Sequence, residues 1–317
     1  MSDVLLDVKN VKKYFKTPKG ILHAVDDVTF SINRGETLGV VGESGCGKST
    51  TGRVVLRLLE PTEGSIILDG EDISKLSEAK LRSKRKEMQM IFQDPLASLD
   101  PRKTVGQIIE EPLRIHNIIS SSKDRQKRVL ELMETVGLAQ RYYSTYPHEL
   151  DGGRRQRIGI ARALSVNPKF IVCDEPVSAL DVSIQAQVLD MIRDLKKQYN
   201  MSMIMITHDL GIVAEICDTV AIVYAGQIVE YGTLKDIFNS TAHPYTVGLF
   251  GSLPNMDDRT QRLKPIPGLM PDPTKLPEGC TFCPRCPHAT EKCRTERPTL
   301  VNIGGEHQVA CHLFKEG

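Results

Sequence analysis

The sequence predicts an α/β fold with a largely parallel sheet, and three observations predict it. Leu38–Val41, Phe170–Cys173 and Ser202–Thr207 are short apolar runs of the kind found in strands buried on both faces. Between and after them, apolar residues recur at helical spacing. Val129, Leu130, Met133 and Val136 precede a C-cap at Gly137, and Ile184, Val188, Ile192 and Leu195 follow an N-cap at Asp181. The glycine-rich stretch Gly42–Thr50 joins the first run to a helix, so the chain reads strand, turn, helix.

Taken in order, residues 1–41 read as short strands and turns. Val28, Phe30 and Ile32 alternate with Thr29 and Ser31, as in a half-buried strand, and Arg34–Gly35 makes the turn before Leu38. A helix over 48–59 stops near Pro61, a β segment follows at Ser65–Leu68, and a further strand at Met88–Phe92 runs into Gln93-Asp94-Pro95. The pattern is helical from Ser98 to about Asn167. Val220–Tyr224 and Gln227–Tyr231 flank Ala225-Gly226 as a hairpin would. The proline-rich stretch 252–279 reads as a linker, and there is no internal repeat.

Gly42-Glu43-Ser44-Gly45-Cys46-Gly47-Lys48-Ser49-Thr50 fits the phosphate-loop pattern G-x-x-x-x-G-K-[ST]. Gly42, Gly45 and Gly47 allow positive φ and bring successive N–H groups towards phosphate oxygens. The helix beginning near Lys48 directs its positive end at the same anion. Lys48 is expected to reach the β and γ phosphates and Ser49 to ligate Mg²⁺. Asp174-Glu175 directly follows a predicted strand. There, one acid can hold the metal shell and its neighbour can position or deprotonate an attacking water.

The chain has 317 residues, 41 basic and 40 acidic, for a net charge of +1, which gives no electrostatic argument for nucleic acid or an anionic membrane. No apolar run approaches the roughly 18–20 residues of a spanning helix, and the N-terminus lacks a secretory pattern. The expectation is a soluble, cytosolic protein that reaches a membrane only by docking onto another subunit. Cys46, Cys173 and Cys217 are scattered, whereas Cys280, Cys283, Cys286, Cys293 and Cys311 crowd the tail. The spacing Cys280-x₂-Cys283-x₂-Cys286 is similar to the start of a ferredoxin run, and thiolates also suit zinc.

Further motifs stand in a fixed order. Leu150-Asp151-Gly152-Gly153-Arg154-Arg155-Gln156-Arg157 precedes a helix, Ser178-Ala179-Leu180-Asp181 follows the acidic pair, and Thr207-His208-Asp209 ends the next strand. With Gln93 and the phosphate loop, this order resembles the ATP-binding cassette ATPases over residues 4–232. The resemblance implies a nucleotide-binding domain over 1–235, built of a RecA-like core, an antiparallel β subdomain and a helical arm at about 94–165, with a Cys-rich extension over 236–317. It implies that Gln93 touches Mg²⁺ and water, Asp174 holds the metal, Glu175 is the general base and His208 meets the γ-phosphate. Asp181 would face the opposite cassette, and Tyr14 or Phe15 would stack on adenine. Two cassettes would enclose each ATP, one with its phosphate loop and the other with its glycine signature, here Asp151, Gly152 and Gly153.

The family signature is usually Leu-Ser-Gly-Gly-Gln, so Asp151 and Arg154 are departures. Aspartate caps a helix as well as serine does. Its charge would oppose closure over the partner's ATP, with Arg154 and Arg155 offsetting part of that.

Gln93-Asp94-Pro95, Ser98-Leu99-Asp100-Pro101-Arg102, Thr104-Val105-Gly106, His243-Pro244-Tyr245-Thr246 and Leu276-Pro277-Glu278-Gly279-Cys280 resemble the dipeptide/oligopeptide importer branch of that family. The resemblance implies one of two non-identical ATPases at the cytoplasmic face of the plasma membrane. It would lie beneath two membrane permease subunits fed by an extracellular peptide-binding protein, with no nucleic-acid partner. It also implies a [4Fe-4S] cluster on Cys280, Cys286, Cys293 and Cys311, with zinc, or free or disulfide-linked thiols, as alternatives. Three other functions are weighed: a soluble cassette ATPase acting on nucleic acid or ribosomes, an importer for another small solute such as nickel, and a regulatory subunit that barely hydrolyses ATP.

Overall fold

A computed structural model describes residues 3–252 and 265–315 of the chain; part of the expected linker over 252–279 lies outside them. The chain opens on two 14-residue strands, β1 (Val4–Thr17) and β2 (Gly20–Asn33), where short ones were expected. β2 buries Val28, Phe30 and Ile32, exposes Thr29 and leaves Ser31 half-buried, close to the predicted alternation. After the turn at Arg34–Gly35 comes β3 (Thr37–Val41), with all five residues buried. The helix α1 (Lys48–Val55) is shorter than expected, because Arg57 adopts φ +55° and leaves helical space well before Pro61. β4 (Glu63–Leu68) pairs antiparallel with β1, Leu6 opposite Leu68, and β5 (Glu71–Asp72) completes a four-stranded sheet in the order β2-β1-β4-β5.

The middle of the chain holds α2 (Glu78–Lys84), β6 (Met88–Ile91) and four helices: α3 (Pro95–Ser98), α4 (Val105–Ile115), α5 (Ser122–Thr135) and α6 (Gly152–Leu164). Each starts where its sequence supplies an N-cap. Asp94 accepts two N–H groups at the head of α3, and Thr104 with Gln107 forms a reciprocal capping box on α4. α4, α5 and α6 pack together through Ile108, Ile109 and Leu113, Val129, Leu132 and Met133, and Ile158 and Ala161. β7 (Phe170–Asp174), α7 (Val182–Tyr199) and β8 (Ser202–Thr207) follow. β6 and β7 are parallel, Met90 opposite Val172, at the end of the strand run β8-β7-β6.

The last third contains α8 (Leu210–Ile216), β9 (Thr219–Tyr224), β10 (Gln227–Thr233), α9 (Leu234–Asn239) and α10 (Pro244–Gly251), then α11 (Glu291–Thr295), β11 (Val301–Gly304) and β12 (His307–Val309). Ala225 and Gly226, at φ +46° and +81°, make the primed turn that a two-residue hairpin between β9 and β10 requires. β3 runs parallel to β9, Val40 opposite Ala221. The tail strands extend this sheet beyond β10, in the order β11-β12-β10-β9-β3, with Glu230 opposite Val309.

By contacts the chain forms two compact units. One collects Lys75–Met205 with Asn33–Glu36 and the first residues. The other collects Leu6–Ile32, Thr37–Ser74 and everything from Ile206 onward. The phosphate loop and the tail therefore belong to one unit, and the acidic pair and the glycine signature to the other.

Candidate functional site

The phosphate loop leaves β3 at Val41 and enters α1 at Lys48. Gly47 holds φ +106°, and a Cβ there would lie 2.2 Å from the Ala24 carbonyl oxygen. Gly42 is needed for space, not for positive φ: a Cβ at that position would lie 2.1 Å from the Val223 oxygen. The Lys48 ammonium is buried and donates to the carbonyls of Gly42 (2.7 Å) and Glu43 (2.9 Å), so it is folded back along the loop. α1 has no side-chain cap and no acid in its first turn, which leaves its leading N–H groups and positive end for an anion. Ser44 and Gly45 are exposed on the rim, whereas Ser49 and Thr50 are half-buried at the helix start. Burial pushes the Cys46 thiol up, so this residue packs as a small apolar group. The loop thus fits a nucleotide phosphate chain, and the hydroxyl of Ser49 is a hard oxygen donor of the kind Mg²⁺ prefers.

In the other unit, β7 ends on Asp174, which is 1% exposed. Glu175 follows at φ +45°, a left-handed conformation that a non-glycine residue adopts at a cost of order 1–2 kcal/mol. Gln93 donates from Nε2 to Glu175 Oε2 at 2.9 Å, which brings together two residues 82 positions apart that the sequence singled out separately. Asp151 caps α6 as expected, Oδ1 accepting the Arg154 N–H at 2.8 Å. Arg154 also places Nη1 2.5 Å from Asp151 Oδ2, with its guanidinium over the Tyr142 ring. Arg155 turns away to the carbonyls of Pro147 and His148. Only Arg154 therefore sits on the extra charge of the signature. A Cβ on Gly153 would lie 2.7 Å from Ile184 Cγ2, and one on Gly152 3.2 Å from Leu180.

Asp181 holds the N-cap position of α7, but its carboxylate makes no cap bond, contrary to expectation. Its carbonyl instead accepts from Ile184 and Gln185. His208 is exposed just beyond β8, and Asp209 caps α8 through the Gly211 N–H. The two aromatic candidates differ in surroundings. The Tyr14 hydroxyl donates to Asp26 at 2.5 Å and its ring lies 4.2 Å from His23, whereas Phe15 lies under the Lys13 ammonium.

Sequence reasoning missed a set of contacts from the tail. Arg285 donates from Nη1 and Nη2 to both carboxylate oxygens of Glu43, at 2.7 and 2.9 Å, and the Tyr245 hydroxyl accepts the Glu43 N–H at 2.9 Å. Arg297 pairs with Asp26 at 2.7 Å. Burial pushes the Asp26 carboxyl up, but the Tyr14 hydroxyl and the Arg297 guanidinium outweigh it and hold the group below its ordinary value. No local pattern marks these residues.

The iron–sulfur expectation, and zinc with it, is corrected by the structure. Among the described residues no group of three or more His, Cys, Asp or Glu side chains could hold a metal ion. The five tail cysteines do line one cleft, with His243 and Phe282, but its volume is about 10 Å³, close to what one water molecule needs. Burial pushes the Cys280 thiol up to about 11 and raises Cys286 and Cys311 as well, as for thiols packed against apolar surroundings. All eight cysteines are free, and Cys293 packs in the core of the tail.

A phosphate loop between strand and helix, an acidic pair closing a buried strand and a glycine signature capped by Asp151 define an ATPase of the cassette class. The family described as "ABC transporter" matches residues 25–178, and "Oligopeptide/dipeptide transporter, C-terminal region" matches 229–293. The oligopeptide transport ATP-binding protein AppF of Bacillus subtilis (strain 168) is 47% identical over 324 residues, covering 98% of each chain. OppF of Haemophilus influenzae is 46% identical over 311 residues, covering 97% of this chain and 94% of that protein. The dimeric, post-hydrolysis structure of the ATP-binding cassette MJ0796, bound to ADP and Pi, superposes with a TM-score of 0.67 at 29% identity, over 72% of this chain and 98% of that one. Cassette cbiO1 of Clostridium perfringens gives 0.66 at 26% identity, over 76% of this chain and 93% of that one. The chain belongs to the ABC transporter ATPases, in the branch that carries the oligopeptide/dipeptide transporter C-terminal region.

Proposed function

We propose that this chain hydrolyses ATP to drive an importer of dipeptides or oligopeptides. The observation that carries the reading is the near full-length likeness to oligopeptide transport ATP-binding proteins, tail included. In this reading Lys48 leaves its two loop carbonyls for the β and γ phosphates, and the N–H groups of 43–50 cradle them. Ser49, Gln93 and Asp174 would hold Mg²⁺, which would supply neutralisation of the phosphate charge. Glu175 accepts a proton from the attacking water. Its hydrogen bond from Gln93 sets the direction of the carboxylate, and His208 contacts the γ-phosphate. Asp151, Gly152 and Gly153 meet the nucleotide of a facing cassette, and Asp181 borders that interface.

The partners in this reading are a second, non-identical ATPase and two permease subunits, with an extracellular peptide-binding protein acting through them. Among the described residues no helix is long and apolar enough to cross a membrane. In this reading the chain attaches at the cytoplasmic face through the permease. The test is co-purification with the permease subunits, followed by uptake of a labelled peptide in cells with and without this chain, in competition with dipeptides and longer peptides. Loss of peptide uptake on deletion is expected. Undiminished uptake, or no recovery with a permease, would overturn the reading.

A further inference from the structure

Glu43 is held at every polar group it has. Its N–H donates to the Tyr245 hydroxyl at 2.9 Å, its carbonyl accepts from Lys48 at 2.9 Å, and both carboxylate oxygens accept from Arg285. Two of these three holds come from the tail. Tyr245 is fully buried near the head of α10, and the Arg285 side chain is 5% exposed in the short turn between Cys283 and Cys286. Arg285 is itself fixed, with Nε on the Pro267 carbonyl at 2.9 Å and Nη1 3.4 Å from the Tyr224 hydroxyl. A guanidinium fork on a carboxylate sets orientation as well as distance, which a single-point cation does not.

The placement has a chemical consequence. An unpaired carboxylate in the second residue of a phosphate cradle would repel the anion the loop receives, and would compete with it for Lys48. A loop that binds phosphate through backbone N–H groups also gains affinity by being ordered beforehand.

We propose that Arg285, with Tyr245 beside it, is a positioning residue of the phosphate loop, acting through Glu43 to hold the cradle open and electrically neutral for ATP. This rests on the ATP-hydrolysing reading above. The tail is then part of the nucleotide site and not an appendage to it.

The test uses the full chain carrying Glu175→Gln, with Mg-ATP binding measured by calorimetry. Arg285→Ala should weaken binding about 10-fold, since a hydrogen-bonded charge pair is broken on one side only. Arg285→Lys should recover part of that, and Glu43→Gln with Arg285→Met should return to within about 3-fold of the parent, because no buried charge is left alone. If Arg285→Ala does not fold, the lysine variant and the double variant carry the same comparison. With Glu175 restored, Arg285→Ala should raise KM for ATP and leave kcat within about 2-fold, a split that a general loss of stability does not produce. Unchanged affinity in both single variants, or a loss that persists in a folded double variant, would overturn the inference. A parent that binds no Mg-ATP would instead overturn the ATP reading and this inference together, which separates the two failures.

Discussion

Replacing Arg154 by glutamine removes the cation that sits on Asp151 and leaves the helix cap in place. The Asp151 and Arg154 side chains are 56% and 45% exposed, so their pairing adds only about 0.2–1 kcal/mol to folding. A facing cassette changes the scale. Against a phosphate charge about 5 Å away, at an effective dielectric near 20, the Asp151 carboxylate costs roughly 3 kcal/mol. Arg154 at a comparable distance cancels most of this. Asp151→Ser alone leaves the Arg154 cation facing that phosphate and should therefore strengthen ATP-driven self-association about 10-fold, the same Coulomb term with the opposite sign. Arg154→Gln should weaken it about 10-fold, taking about half of the Coulomb term as lost to residual water. Asp151→Ser with Arg154→Gln should restore it. The assay is sedimentation velocity with Mg-ATP in a Glu175→Gln background, where hydrolysis cannot reopen a dimer. If Arg154→Gln associates as well as its parent, or the double variant fails to recover, Arg154 is not the neutralising group.

Three further predictions follow from the geometry. Glu175→Gln preserves an acceptor for Gln93 and removes the base, so ATP affinity should hold while hydrolysis falls at least ~100-fold; near-normal turnover with partner subunits present would take Glu175 out of that role. Gly47→Ala places a methyl 2.2 Å from the Ala24 oxygen at φ +106°, and should cost about 2–4 kcal/mol in denaturant melts and abolish nucleotide binding. Burial lowers the His243 pKa to about 4, while its Nδ1 accepts the Tyr245 N–H. The folded-state pKa lies below the unfolded one, near 6.5, so the unfolded chain binds the extra proton. Stability is complete above pH 6.5 and drains as pH falls towards 4, by about 2 kcal/mol at pH 5. His243→Asn keeps an acceptor and does not titrate, and its melting temperature should fall less between pH 7 and pH 5; an equal fall in both proteins would refute this source.

Elements with a strong local signature were legible in the sequence. Ser202–Thr207 is a strand to the residue, and the turn at Ala225–Gly226 joins the strands on either side of it as predicted. The phosphate loop and the cap at Asp151 were legible for the same reason, since a few neighbouring residues decide them. The region of β1 was read as short strands and turns. Asn10 takes φ +48° and the ladder with β4 shifts register between Lys9 and Lys12, yet pairing on both sides of that irregularity, in a sheet where β1 lies between β2 and β4, makes one long strand. The cysteine spacing suggested a metal, but spacing along the chain does not decide whether thiols diverge, stay protonated or close on a small cleft, and here they do not form a metal group.

By itself, then, the sequence determined the cradle, the acidic pair that closes β7, the order of the motifs and the capped signature helix. Backbone sterics, side-chain period and capping all act within a turn or a strand, and each leaves a pattern a few residues long. Only the tertiary structure decided that Gln93 reaches Glu175. It alone placed Arg285 on Glu43, 242 positions away. A long flexible side chain can meet any opposite charge that packing brings within reach, and that packing is set by strands and helices far apart in the chain, so no local pattern records the choice.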